Sequence, residues 1–349
     1  MNRRTTTMTT AAVVLVALVV VAFLLPVPYV TLQPGPTRDV LAMPDGEPVV
    51  QVDGQQTFPT EGSLSLTTVS VTAAGQDIGL VEALRAWFSP DDAVVPRDVI
   101  YAPSQTVQEA EQESAAQMTD SQSIAAVAAL RLLGEPVEEQ LKVVDVDESG
   151  PAEGELKAGD QVVAIDGQEF AAATSGLRLL REREPGDEVR LAVLRSGAEL
   201  DVRLTSVESD DEAGVPVIGV QVGVDYDIPV DVTINLGGGI GGPSAGSVFA
   251  IAIYDLLTEG SLTGGMAVAG TGTIDAEGVV GPIGGIQQKV VGAQSEGATV
   301  FLVPEENCEE AAGAEVDDIT LVEVHELSEA VDSLEALADD SAADVPTCG

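Results

Sequence analysis

An uncharged apolar run near the N-terminus constrains this chain more than any other feature of its sequence. Residues 11–30 read AAVVLVALVVVAFLLPVPYV and follow Arg3 and Arg4. About 20 such residues suffice for a helix to cross a bilayer. A cleaved signal peptide is the alternative, but it has a shorter apolar core and ends at a small-residue site, which FLLPVPYVTLQPGP does not offer. We therefore expect residues 1–30 to form a cytoplasmic stub and a transmembrane anchor.

The two arginines also predict an orientation. Positive residues beside a first span favour the cytoplasmic side. A single-pass protein of the plasma membrane is then expected, with residues 31–349 on the extracytoplasmic side. No ATP pool is available there.

Charge and composition narrow the classes of partner. The chain has 15 Lys and Arg residues against 58 Asp and Glu residues, a net charge of −43. Nucleic acid is not an expected partner, because affinity for it depends on neutralising phosphates. One histidine and two cysteines cannot supply a structural zinc site with standard ligands, and we expect neither a metal nor another cofactor. For Cys308 and Cys348, both a disulfide and two free thiols stay open.

Residues 31–133 open with a Pro/Gly-rich linker. Residues 49–73 then alternate apolar and polar side chains, a strand pattern. Residues 104–133 are rich in alanine and predict a helix.

The middle of the chain carries a different pattern. The stretches LKVVDVDESGPAEGELKAGDQVVAIDG and EPGDEVRLAVLRSG resemble a PDZ domain over residues 134–208. Such domains add an extended peptide to a sheet edge. The expected carboxylate loop is GEPVEEQ, where Glu135, Glu138 and Glu139 would repel a peptide C-terminus. A spacer that binds nothing is the alternative.

Residues 209–340 alternate strand-like and helix-like segments, which predicts a layered α/β (α+β) domain. Strands 49–73 are candidates to join its sheet, which would make the PDZ module an insertion. Residues 341–349, SAADVPTCG, are expected to be a flexible tail.

The segment INLGGGIGGPSAGSVFAIAIYDLL places Ser244 after a glycine-rich loop and before an apolar helix. The free N–H groups of a helix start can stabilise an oxyanion, with Gly241, Gly242 and Ala245 as the loop residues concerned. A plain helix cap is an alternative for Ser244. A phosphate loop is excluded, because no GxxxxGK[ST] follows. The letters GPSAG also fit the G-x-S-x-G elbow of Ser-His-Asp hydrolases, for which His325 is the only available base.

A neutral lysine can replace histidine as the base, and Lys289 follows another glycine pair in GPIGGIQQKVVGA. Burial must lower its pKa against the anionic field of the chain. Four apolar residues are candidate walls, and a carboxylate of Asp275 or Glu277 against Lys289 would disable the base. The candidate wall residues are Ile240, Val248, Ile283 and Val290.

Three segments, GGPSAGSVFAIAIYDLL, VAGTGTIDAEGVVGPIGGIQQK and GATVFLVPEEN, resemble the proteolytic domain of Lon proteases over residues 214–337. With the anchor and the PDZ module, the chain resembles the membrane-anchored PDZ–Lon-like (YlbL-like) protease family. The resemblance implies that Ser244 is the nucleophile and Lys289 its general base, with Thr271 orienting the lysine. It also implies a homo-oligomeric ring.

No Walker motif occurs in the sequence, so this reading predicts an ATP-independent serine endopeptidase. Its expected substrates are extracytoplasmic or membrane-proximal polypeptides. The alternative from another class is a non-catalytic PDZ scaffold on an inactive protease fold.

Overall fold

The computed structural model of the chain describes residues 3–103, 105–170, 172–209 and 212–349. The chain forms two compact units. The first joins the chain up to Gly134 with Val230–Gly349, and the second is Glu135–Pro229.

The helices and strands are numbered in chain order. The helices are α1 (Arg3–Leu24), α2 (Leu80–Trp87), α3 (Arg97–Ile100), α4 (Val107–Leu132), α5 (Ala173–Arg181), α6 (Gly246–Leu257), α7 (Ile286–Ser295), α8 (Cys308–Ala311) and α9 (Leu327–Asp339). The strands are β1 (Pro26–Val27), β2 (Tyr29–Asp39), β3 (Val50–Asp53), β4 (Ser63–Val71), β5 (Ile78–Gly79), β6 (Ala93–Pro96), β7 (Glu138–Val146), β8 (Gln161–Ile165), β9 (Gln168–Glu169), β10 (Glu188–Arg195), β11 (Ala198–Thr205), β12 (Val207–Glu208), β13 (Pro216–Val217), β14 (Val220–Asp227), β15 (Asp231–Ile234), β16 (Ala267–Gly270), β17 (Thr273–Ile274), β18 (Val280–Gly281), β19 (Val300–Pro304) and β20 (Thr320–Val324).

Helix α1 is long and apolar enough to span a membrane, and its segment Arg4–Val21 packs against no other part of the structure. Helix α1 begins and ends earlier in the chain than the expected span of residues 11–30. The helix ends at Leu24, because Pro26 cannot donate the next helical hydrogen bond and joins β1 instead. The first two residues of the expected cytoplasmic stub lie outside the described residues.

A six-stranded sheet forms the centre of the first unit, in the order β20-β19-β16-β4-β2-β6. The four strands from β20 to β4 are parallel, and β2 and β6 each run antiparallel to their neighbour. Alternate side chains of a strand point to opposite faces. Ala269 and Phe301 pack with Ile286 and Val290 of α7, whereas Gly270 faces α6. The sheet is therefore covered by helices on both faces.

The N-terminal segment contributes a central strand to this sheet. Strand β4 lies between β16 and β2, and β3 pairs with β15. The second unit is consequently inserted in the chain between α4 and β15.

The second unit is built on a sheet in the order β11-β10-β8-β7-β14, with β9 attached to β8. Our expected boundary at residue 208 differs from the structure, in which the unit extends to Pro229. The physical reason is that β14 pairs antiparallel with the whole length of β7. At the other side β14 has no neighbour among the described strands and forms an edge of the sheet.

The assignment of a carboxylate loop to GEPVEEQ is also corrected. Glu138 and Glu139 lie within β7, opposite Asp227 and Tyr226. The Glu139 carboxylate accepts a hydrogen bond of 2.8 Å from the N–H of Ala173 at the start of α5. That carboxylate is therefore engaged inside the unit.

The expectation of a flexible tail is wrong. Cys348 forms a disulfide with Cys308, and its N–H donates to the carbonyl of Leu321 over 3.0 Å. Thr347 bridges to Val322 of β20. A covalent bond and backbone pairing at the edge of the sheet hold a segment whose polar composition suggested disorder.

We expect removal of this disulfide to destabilise the first unit. The bond closes a loop of 40 residues, and disulfides typically contribute about 2–4 kcal/mol. The measurement is the urea midpoint of the full chain in detergent micelles, for the wild type and for Cys308→Ala/Cys348→Ala. A reductant should lower the midpoint of the wild type and leave that of the variant unchanged. A variant with the same midpoint as the oxidised wild type contradicts the prediction.

Candidate active site

The glycine-rich loop after β15 is anchored at its start by the N-terminal part of the first unit. The N–H of Asn235 donates to the carbonyl of Val49 over 2.8 Å, and Arg38 Nη2 donates to the carbonyl of Leu236 over 3.0 Å. Beyond this point Gly237, Gly239 and Gly242 adopt positive φ angles, which side chains other than glycine rarely adopt. The loop thus leads the chain to Ser244 through turns that need glycine.

Helix α4 approaches this loop closely. The N–H of Gly242 donates to the carbonyl of Ser114 over 2.9 Å, and Ser121 Oγ donates to the carbonyl of Pro243 over 3.1 Å. A Cβ atom on Gly241 would lie 3.3 Å from the Ser114 carbonyl oxygen and closer still to its side chain. The glycine at 241 therefore admits α4.

Ser244 lies before α6, not in its first turn. Its carbonyl accepts hydrogen bonds from the N–H of Gly272 over 2.8 Å and from Thr271 Oγ1 over 2.9 Å. The N-cap of α6 is Ala245, because a turn from Pro243 to Gly246 precedes the helix. The serine backbone is thus fixed to the segment that follows β16.

The three residues expected to donate to an oxyanion have different surroundings. The N–H of Gly242 donates to the carbonyl of Ser114 in this structure. Gly241 and Ala245 both line the cavity beside Ser244. Within the described part of the chain, the N–H of Ala245 meets no hydrogen-bond acceptor.

The amine of Lys289 connects the three candidate residues. Lys289 Nζ lies 2.8 Å from Ser244 Oγ and 2.8 Å from Thr271 Oγ1. The lysine is only 3% exposed, and this burial lowers its pKa from 10.5 to about 7. Desolvation disfavours the charged form of a lysine, so the amine is neutral in a substantial fraction of molecules at neutral pH.

The carboxylates that could have disabled the amine are engaged elsewhere. Asp275 accepts hydrogen bonds from the N–H groups of Glu277 and Val279. Glu277 forms an ion pair of 2.8 Å with Arg131. Among the described residues, no carboxylate forms an ion pair with Lys289. Of the expected wall residues, Val248 and Val290 are fully buried, Ile240 lines the cavity and Ile283 packs against the core around α7.

His325 has a different set of partners from Ser244. Its Nδ1 lies 2.9 Å from Glu305 Oε2, and its side chain is about half exposed. Its N–H donates to Glu329 Oε2 at the start of α9. The side-chain partner of the Ser244 hydroxyl is Lys289 rather than the histidine.

The site opens into a cavity of about 890 Å³. Ser244 and Lys289 lie in its wall with Ile240, Val69 and Met118. The volume is within the range of ligand-binding clefts.

Two sequence families match the chain. Residues 116–205 match the PDZ domain family, and residues 224–336 match the Lon protease (S16) C-terminal proteolytic domain. The chain combines a PDZ domain with a Lon-type proteolytic domain. The resemblance to PDZ–Lon-like proteases is thereby confirmed at the level of domains, as is the mixed α/β fold.

Individual relatives match shorter stretches. Lon protease 2 of Bacillus subtilis is 35% identical over 106 residues, which are 30% of this chain and 19% of that protein. A probable periplasmic serine endoprotease, DegP-like, of Halomonas elongata is 41% identical over 64 residues, 18% of this chain and 14% of that protein. The chain thus matches less than a fifth of the length of either relative.

A solved structure matches about a quarter of the chain. The PDZ domain of the SdrC-like protein from Listeria innocua is 26% identical and covers 24% of this chain and 92% of that one, with a TM-score of 0.23.

The contribution of α4 to the first unit is not among the sequence-based expectations. Ser114 and Ser121 are seven residues apart and lie on one side of the helix, where both contact the loop before Ser244. Asn307 is likewise absent from the sequence-based expectations. Its side-chain amide accepts from the N–H and donates to the carbonyl of Ile283 in the turn before α7. The seven-residue spacing of the two serines was the available signal in the sequence.

We expect the burial of Lys289 to leave a measurable trace in the pH dependence of stability. The unfolded lysine keeps its proton up to about pH 10.5, whereas the folded one loses it near pH 7. Unfolding therefore takes up a proton between these values, and the free energy of unfolding rises with pH by up to about 1.4 kcal/mol per unit. Lys289→Met, which is apolar and of similar length, should lack this rise.

The measurement is urea unfolding of the full chain in detergent between pH 6 and pH 10. Relative to the wild type, Lys289→Met should be most stable at the low end of the range, and its advantage should shrink towards the high end. A difference that does not change with pH contradicts the buried neutral lysine.

Proposed function

We propose that the protein is an ATP-independent, membrane-anchored serine endopeptidase in which Ser244 and Lys289 form a catalytic dyad. The observation that carries this proposal is the 2.8 Å separation of Lys289 Nζ and Ser244 Oγ, combined with the lowered pKa of about 7 of the buried amine. A general base needs both a hydrogen-bond distance to its proton and a pKa near the working pH.

In the first step, the neutral amine of Lys289 accepts the hydroxyl proton of Ser244 as Oγ attacks the carbonyl carbon of the scissile peptide bond. The lysine becomes a cation next to the negative tetrahedral intermediate. Its proton then passes to the leaving amine, the peptide C–N bond breaks and an acyl-enzyme ester remains on Ser244.

The oxyanion of this intermediate needs donors on the far side of the serine. The N–H of Ala245 is the available backbone donor at this position, next to Ser244 and at the N-terminal end of α6, where the helix dipole adds positive potential. The N–H of Gly242 would join it only after release from the Ser114 carbonyl.

In the second step, a water molecule takes the place of the leaving amine. Lys289 accepts a proton from this water as the water oxygen attacks the ester carbonyl carbon. The C–Oγ bond then breaks, Lys289 returns the proton to Ser244 Oγ, and the second product leaves with a new carboxyl group. The same amine thus serves both half-reactions.

Thr271 is the positioning residue of the proposed dyad. Its hydroxyl accepts a hydrogen bond from Lys289 Nζ and donates to the Ser244 carbonyl. One side chain therefore fixes the amine and the serine backbone relative to each other.

The proposed localisation and substrates are based on other parts of the chain. Helix α1 supports a single-pass anchor. The two arginines in its first turn support an extracytoplasmic site, which is consistent with catalysis without ATP. The substrates we propose are polypeptides near the membrane, which the PDZ domain would help to recruit, and the Lon-type domain supports a homo-oligomer. A hydrolase using His325 has no support from its contacts, and a PDZ scaffold on an inactive fold does not account for the close, buried contact of Ser244 with Lys289.

The dyad predicts a specific pattern of variants in casein turnover by the full chain in detergent. Ser244→Ala and Lys289→Ala should lose roughly 10⁴–10⁶-fold, as serine proteases do when the nucleophile or the base is removed. Lys289→Arg should be equally inactive, because a guanidinium does not deprotonate in proteins. Lys157→Arg, at an exposed lysine of the PDZ unit, is the matched control and should retain activity.

His325→Ala should also retain most activity, since its side chain contacts Glu305. Circular dichroism checks that each variant is folded. Near-normal turnover in folded Lys289→Arg, or collapse in His325→Ala, contradicts the dyad.

The pH dependence provides a further prediction. Only the neutral amine can accept the proton, so kcat/KM should be full above the pKa of about 7 and fall by about tenfold for each pH unit below it. The measurement uses a peptide without titratable side chains, between pH 5 and pH 9. A profile that stays flat down to pH 5 would exclude Lys289 as the base.

A further inference from the structure

Helix α2 has an apolar surface that no described part of the chain covers. Its Ala83 and Ala86 are buried, and the residues between and after them point outward. Trp87 is 69% exposed and Phe88, at the end of the helix, is 81% exposed. Val81 and Leu84 are also exposed.

The end of α1 is tied to the start of this helix. Strand β1, which follows α1, pairs antiparallel with β5, joining Pro26 to Gly79 and Val27 to Ile78. Helix α2 begins at the next residue, Leu80, and is in contact with α1. The exposed apolar face therefore lies where the chain leaves the proposed transmembrane span.

The start of helix α3 also contacts the segment that follows α1. The N–H of Arg97 donates to the carbonyl of Pro28 over 3.1 Å, and Pro96 pairs with Tyr29 across β6 and β2. Val99, Ile100 and Tyr29 are all exposed. We call the exposed apolar side chains of these two helices the anchor-proximal patch, which consists of Val81, Leu84, Trp87, Phe88, Val99 and Ile100.

We propose that the anchor-proximal patch inserts into the interface of the bilayer that α1 crosses, and so seats the Lon-type domain on the membrane surface. The proposal rests on the membrane anchoring stated above. Tryptophan and tyrosine concentrate at the level of the lipid headgroups, and amphipathic helices bury their apolar face at the headgroup–acyl boundary. The bilayer is the partner that we propose for this patch, because the patch begins next to the residues that follow the proposed transmembrane span.

The charges around the patch indicate that its contact with the membrane is apolar. The exposed charges of α2 are one Glu82 and one Arg85, so the helix is locally neutral. The chain as a whole carries a net charge of −43, and attraction to anionic lipids is therefore not the source of the contact. Seating should consequently be insensitive to salt and should not need anionic lipid.

The patch also relates the cavity to the membrane. Tyr101 directly follows Ile100 and lines the cavity that holds Ser244 and Lys289. A seated domain thus holds one end of this cavity next to the lipid interface. Polypeptide segments that emerge from the bilayer are the substrates within reach.

The sequence contains one tryptophan, Trp87, and this makes the test direct. The full chain is reconstituted into phosphatidylcholine vesicles, with and without lipids brominated in the acyl chains, and its tryptophan emission is recorded. We expect emission shifted to shorter wavelength and a loss of intensity with brominated lipid. Both effects should persist in high salt.

The matched control moves the probe to the other edge of the six-stranded sheet. Strand β20 lies five strand spacings from β6, about 24 Å away, and Thr320 is exposed there. In Trp87→Phe/Thr320→Trp, brominated lipid should not reduce the emission. Leu84→Glu/Phe88→Glu should reduce the loss at Trp87 without changing casein turnover.

The outcomes separate the proposals. Vesicle flotation reports anchoring, and casein turnover reports the Ser244–Lys289 dyad on the same sample. If the chain floats but brominated lipid does not affect the emission of Trp87, the proposed insertion of the patch is overturned. An emission shift that depends only on protein density also overturns it, because it would indicate contact with a second copy of the chain. Failure to float overturns the patch together with the anchor. Quenching in a chain without turnover supports the patch and refutes only the enzyme.

Discussion

The proposed site of this protein depends on the burial of one lysine amine, that of Lys289, away from water. Lys289 reaches the interior because α7 packs its apolar neighbours Ile286 and Val290 against the sheet. The amine is then held by two hydroxyl groups and by no carboxylate among the described residues. Strong as the net negative charge of the chain is, solvent and salt screen distant surface charges, whereas desolvation acts on the amine directly. The local effect therefore determines the direction of the pKa shift.

This arrangement requires three separate segments to meet. Thr271 lies 27 residues after Ser244, and Lys289 lies 18 residues after Thr271. The sheet brings them together, because β16 ends at Gly270 directly before Thr271 and the N–H of Gly272 binds the Ser244 carbonyl. Asn307, on the segment after β19, holds the turn that leads into α7. The bonds of Gly272, Ser244 and Ile283 each satisfy a backbone N–H or carbonyl group.

The serine loop also depends on the parts of the chain that flank the PDZ unit. Helix α4, which holds the loop through Ser114 and Ser121, ends three residues before the unit begins. Strand β15, from which the loop departs, begins two residues after it ends. Both connections between the PDZ unit and the Lon-type domain therefore run directly into elements that position Ser244. An inserted domain is here connected to the elements that hold the proposed nucleophile.

The sequence by itself determined the local features. Glycines before Ser244 and Lys289, the apolar pattern of α6 and the uncharged N-terminal run each specify structure over a few turns, because helix periodicity and glycine conformations depend on neighbouring residues. Tertiary structure decided the rest. The alternating pattern of Val220–Asp227 indicates a strand, but its partner β7 lies some 80 residues earlier in the chain, and periodicity carries no information about partners. The same limit applies to the tail, where Cys348 is ordered by Cys308 and β20, and to α4, whose serines acquire a role only through the loop that packs on them. The burial that lowers the pKa of Lys289 is likewise a property of the assembled core, because the sequence around a lysine does not specify which distant side chains will exclude water from it.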